Sequence, residues 1–83
     1  MYEGKEVNGN GGFQLDGYEF QRRVKRLGQK TGYAVRFEQH GKGSHGRLYH
    51  AARFTTLKDR KKEIGKGLLK AMCLQLGISP EDL

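Results

Sequence analysis

Tryptophan is absent from these 83 residues, and cysteine and proline each occur once. The lone thiol, Cys73, excludes an internal disulfide and a cysteine-built zinc cage, which fits a reducing compartment. No apolar run approaches the roughly 20 residues that cross a bilayer, so no membrane partner is expected. The opening Met-Tyr-Glu-Gly-Lys-Glu lacks the basic-then-apolar order of a signal peptide, and a cytoplasmic protein is expected. Acids are scarce through the middle of the chain. Residues 20–77 hold 15 Lys and Arg against three acids, Glu38, Asp59 and Glu63, while six acids at the two ends reduce the total charge to +7. A polyanion is the natural partner of such a centre, and RNA, DNA and an acidic protein all qualify.

What is present is enough for one modest core and no second one. Residues 1–15 place four glycines and two asparagines around Val7, Phe13 and Leu15, the composition of a flexible leader outside the core. Residues 16–78 read as the folded domain and residues 79–83 as a short acidic tail. Asp16 and Glu19 have capping-box spacing, and Phe20, Val24 and Leu27 then recur at helical intervals up to Gly28. This predicts a helix over 17–27 with Gly28 as its left-handed stop. Tyr33, Val35 and Phe37 alternate with polar neighbours as in a strand with one buried face, and Arg47–His50 and Arg53–Leu57 supply two more strands. Between those two, Ala51-Ala52 is a weak turn signal. Ile64, Leu68, Leu69, Met72 and Leu76 are spaced for a second helix over 66–76, with Ile64 stapled onto Leu69 and Gly77 as the stop. The order α-β-β-β-α predicts an α+β domain: a three-stranded antiparallel sheet with both helices on one face, the other face open.

The chemistry centres on Gly41-Lys42-Gly43-Ser44-His45-Gly46, a glycine-rich basic loop. Period-two geometry puts Leu48 opposite His45, Arg47 and Tyr49, so an inward Leu48 turns His45 outward. Imidazole is the side chain whose ordinary titration range spans neutral pH, which suits a general acid or base. RNA carries its own nucleophile, the ribose 2′-OH, so cleavage needs a base, an acid and cations around the phosphorane, and in principle no metal. His45 is the candidate catalytic group. Lys42, Ser44, Arg47, Tyr49, Lys61, Lys62 and Lys66 are the candidate RNA contacts. The second proton-transfer group is not evident, because His50 faces away from His45 and the path of His40 is undetermined.

The run Gly43-Ser44-His45-Gly46-Arg47-Leu48-Tyr49, then Arg53-Phe54-Thr55-Thr56, then Lys62 to Met72 with Gln75-Leu76-Gly77-Ile78, resembles the HicA family of mRNA interferase toxins over about residues 18–78. The resemblance implies a fold like a double-stranded RNA-binding domain and the toxin role in a type II toxin-antitoxin system. It also implies a catalytic histidine at His45 and neutralisation by a HicB-like antitoxin, with DNA contacted only through that antitoxin. Two positions depart from the family pattern. Gly46 stands where many members carry a second histidine, and Leu57-Lys58-Asp59 stands where they extend a proline-containing strand.

Plainer readings stand beside these. His40 and His50 read as surface residues, and three histidines five apart make a poor metal arrangement, so neither metal nor cofactor is expected. Arg60, Lys61 and Lys62 form a charge run that precedes the second helix, a position suited to phosphate contact. Tyr33, Phe37 and Phe54 read as core. Ser44 reads as a turn residue, since no carboxylate is placed to orient a histidine beside it. Two other functions remain open on these residues: a non-catalytic RNA-binding module, and a basic domain that docks an acidic protein.

Overall fold

The computed structural model describes residues 15–41, 43 and 45–83; residues 1–14, which hold most of the expected leader, and the candidate contacts Lys42 and Ser44 lie outside the described residues. The elements run β1 (Leu15–Asp16), α1 (Gly17–Thr31), β2 (Val35–Gln39), β3 (Gly46–His50), β4 (Arg53–Leu57), β5 (Glu63–Ile64) and α2 (Lys66–Leu76), followed by a 3₁₀ turn over Pro80–Asp82. The expected α-β-β-β-α domain is present, with β2, β3 and β4 forming an antiparallel sheet in that order. The pair β1–β5 is an addition that the sequence reading lacks, joining Leu15 to Ile64 and Asp16 to Glu63.

Asp16 caps α1 by accepting from the Glu19 N–H at 2.8 Å. Glu19 does not complete a capping box; its carboxylate takes Arg23 at 2.9 Å and Arg22 at 3.0 Å, and the Arg23 hydrogen bond holds it below the usual carboxylate range. The helix passes through Gly28 rather than stopping there. Gly28 is buried, and a Cβ on it would meet the Val35 side chain and the Tyr33 carbonyl, so its hydrogen side chain serves close packing of helix on strand. Gly32, at φ 84°, is the left-handed stop, its N–H donating to the Gly28 carbonyl at 2.8 Å. The second helix keeps its expected bounds, and Gly77 ends it at φ 76°.

One face of the sheet carries the rows Phe37–Leu48–Thr55 and Val35–His50–Arg53, the other Arg36–Tyr49–Phe54 and Glu38–Arg47–Thr56. Leu48 and Leu57 of the first face pack with Phe20 and Val24 of α1 and Leu69, Met72, Cys73 and Leu76 of α2 in one core. Fully burying a side chain such as Phe20, Leu48 or Leu76 contributes about 1.5–3 kcal/mol. Burial also pushes the Cys73 thiol up to about 11, which keeps it neutral. Leu15 belongs to this core, at 3% exposure, and not to the leader. The acidic tail is likewise packed: Ser79 caps its turn, Leu83 lies against the core, and the Leu83 carbonyl accepts from Arg23.

Four side chains differ from the sequence reading. Leu68 is exposed, because the buried stripe of α2 is Leu69, Met72, Cys73 and Leu76, and a residue one position earlier is turned about 100° away. Tyr33 precedes β2 and is exposed, while Phe54 is exposed because Thr55 and Leu57 hold the inward positions of β4. His50 is buried, and its Nδ1–H donates to the Leu76 carbonyl at 3.1 Å, tying the end of α2 to the sheet.

The β3–β4 hairpin turns on Ala51-Ala52, with Ala51 at φ 55°, a conformation that costs a residue bearing a Cβ. Ala51→Gly is expected to stabilise the domain by about 0.5–1 kcal/mol, measured as a rise in urea midpoint at unchanged slope. No helix among the described residues is long and apolar enough to cross a membrane.

Candidate functional site

The register of β2 and β3 fixes where the histidines meet. Gln39 opposes Gly46, and the ladder continues one step further, with the His40 N–H donating to the His45 carbonyl at 3.0 Å. Residues opposed in this way have Cβ atoms about 4.5–5.5 Å apart on the same face. Alternation sends Gln39 and Gly46 to the helix side and the flanking His40 and His45 to the open side. Both histidines are exposed, and both line an open concavity of about 460 Å³ with Gly41, Gly46, Arg47 and Thr56. The outward placement expected of His45 therefore holds, and His40, left unplaced by the sequence, stands beside it.

Gly46 makes this arrangement sterically feasible. It is buried at the start of β3, where a Cβ would run into the Phe37 ring and lie 2.5 Å from the Glu38 carbonyl oxygen. A histidine at position 46 would have no room here, whereas position 40 across the ladder is open to solvent.

Charge around the concavity is organised by the neighbouring rows. Arg47 lies between Glu38 and Thr56, and Glu38 pairs with Arg36 at 2.9 Å. The Arg36 hydrogen bond holds the Glu38 carboxyl below its usual range. Its other oxygen is 3.8 Å from His40 Nε2. One row further along, the Arg36 guanidinium lies 4.1 Å from the centre of the Tyr49 ring, Tyr49 and Phe54 are 5.6 Å apart, and Arg47 lies 4.7 Å from the centre of the Phe54 ring.

The remaining cations divide. Lys62 lines a second concavity of about 310 Å³, against Lys58, Leu68 and Met72, which shares Thr56 with the first. Lys61 and Lys66 are exposed but border neither concavity. Arg60 is not a free surface cation: it packs over the rings of Phe37 and Tyr18, at 4.2 and 4.8 Å, and donates to Gln21. No group of three His, Cys, Asp or Glu able to hold a metal ion forms among the described residues. His40 and Phe54 are the site residues that sequence reasoning missed. No signal within one segment gives His40, because its place opposite His45 follows from the strand register that sets Gln39 against Gly46. Comparison with protein-family models, with curated proteins and with solved structures finds no match to this chain.

Proposed function

We propose that this protein is a metal-independent endoribonuclease of the HicA kind, the toxin of a type II pair held inactive in the cytoplasm by a HicB-like acidic antitoxin. The observation that carries the reading is the His40–His45 pair, opposed across the sheet and open to one concavity beside Arg47. His45 acts as general base and takes the 2′-OH proton as O2′ attacks the adjacent phosphorus. Arg47 balances the charge that builds on the phosphorane oxygens. His40 acts as general acid and gives a proton to the departing 5′ oxygen, with Glu38 compensating its charge from 3.8 Å. The O2′–P bond forms, the P–O5′ bond breaks, and the products are a 2′,3′-cyclic phosphate and a 5′-hydroxyl. Lys61, Lys62 and Lys66, with Lys42, steer and hold the backbone. An acidic antitoxin would cover the same cations and the histidines together.

The test is incubation of the purified chain, free of antitoxin, with single-stranded RNA in excess EDTA. Fragments ending in 2′,3′-cyclic phosphate are expected. Salt-sensitive binding without scission would replace this reading with a non-catalytic RNA-binding module. Negligible RNA affinity even at low salt would leave a basic domain that docks an acidic protein.

A further inference from the structure

We infer that the open face of the β2-β3-β4 sheet is a stacking platform for the unpaired bases of single-stranded RNA, a role that rests on the RNA reading above and narrows it to single strands. The platform is the row Arg36–Tyr49–Phe54 together with Arg47 in the next row. Aromatic side chains of a small domain belong in its core when the core can take them, yet Phe54 is 41% exposed on the side of the sheet away from both helices. Tyr49 and Phe54 sit opposite each other on neighbouring strands, so their rings form one continuous apolar area. Each ring is overlaid by a guanidinium, at 4.1 and 4.7 Å, so flat cationic planes are already ordered there.

That combination fits a nucleic acid better than an apolar partner. A base can lie on a guanidinium plane, or displace it and lie on the ring beneath, while the positive charge remains beside the phosphates. Glu38 is the one acid in the two rows, and Arg36 neutralises it. A duplex cannot use this surface, because its base faces are stacked on one another. The geometry also connects binding to chemistry. Tyr49 and His45 lie four residues apart along one chain segment, about 13 Å, with Arg47 midway and all three turned to the open side. A strand whose bases rest on Tyr49 and Phe54 therefore carries its next phosphates past Arg47 to the histidine pair.

The experiment uses the full chain and a fluorescein-labelled 2′-O-methyl oligoribonucleotide, which lacks the 2′-OH nucleophile and stays intact. Its affinity is compared by anisotropy with that of an abasic strand of the same length and with the same sequence as a duplex. The base-bearing strand is expected to bind roughly tenfold or more tighter than either. The Tyr49→Leu/Phe54→Leu protein is expected to lose that advantage and to bind the abasic strand as the parent does. A 2-aminopurine in the strand is expected to be quenched by the parent and not by this variant. Should the double variant fail to fold, judged by circular dichroism, Phe54→Leu alone is read the same way. Equal affinity for base-bearing and abasic strands, preference for the duplex, or unchanged base discrimination in the variant would overturn the platform. Cleavage of ordinary RNA by the parent, measured in parallel, separates the two proposals. Scission without base discrimination removes the platform and keeps the nuclease, and base discrimination without scission does the reverse. Binding of an acidic polypeptide with no RNA affinity removes both.

Discussion

His45→Ala is expected to bind single-stranded RNA within a few-fold of the parent while cleaving it about 10²- to 10⁴-fold more slowly. Affinity survives because phosphate contacts from the surrounding cations supply most of it, and the exposed imidazole contributes little packing to lose. His40→Ala is expected to show the same separation of binding from rate. Since each histidine serves one proton transfer of a single event, the double variant should lose little more than either alone, a non-additivity that independent surface residues would not produce. Single-turnover cleavage and RNA binding by the two single variants and the double variant check all of this. If His45→Ala cuts as fast as the parent, the assignment of His45 is wrong; if only His40→Ala is silent, the acid lies elsewhere.

Gly46→Ala is expected to cost about 1–3 kcal/mol, because the added Cβ must displace the Phe37 ring and lies 2.5 Å from the Glu38 carbonyl. For a domain of this length, each kcal/mol lost lowers the melting temperature by roughly 4–8 °C. Phe37→Leu in the Gly46→Ala background should recover part of that loss and no more, since it clears the ring but leaves the backbone carbonyl in place. A double-mutant cycle followed by urea unfolding measures the coupling. The consequence for the site is direct: Phe37 and Glu38 lie on β2 just before His40, so pushing β2 away from β3 at residue 46 would also separate the paired histidines. Cleavage by Gly46→Ala should therefore fall by more than the loss of folded protein accounts for. Full activity with an unchanged midpoint would show that the strand relaxes freely there and that the close approach does not hold the pair.

The residues that were legible in advance share one property: their state depends on neighbours within a turn or two. Asp16 caps because it precedes a helical run, Gly77 ends α2 because it follows one, and the stripe of α2 survives apart from Leu68. Leu48 turned inward and His45 outward because parity along a single strand decides both. Gly28, Phe54 and His50 depart from their local patterns because a second segment has the deciding role. Gly28 has the composition of a stop, yet the approach of Val35 and the Tyr33 carbonyl made it a packing position. Phe54 has the character of a core residue, but Thr55 and Leu57 held the inward places. His50 has the polarity of a surface residue, but the last turn of α2 supplies a carbonyl for its ring nitrogen.

By itself the sequence determined the class of fold, the second helix, the cationic centre and the outward histidine of the glycine loop. Local periodicity, caps and net charge need no knowledge of what lies across the molecule. Only the tertiary structure decided that His40 is the neighbour of His45, that Arg60 is held over Phe37, and that Tyr49 and Phe54 share one exposed row. The histidine pair and the Tyr49–Phe54 pair are relations between strands, set by hairpin register, and a register one residue different would have turned those side chains to the other face, while Arg60 reaches Phe37 from the connection between β4 and β5.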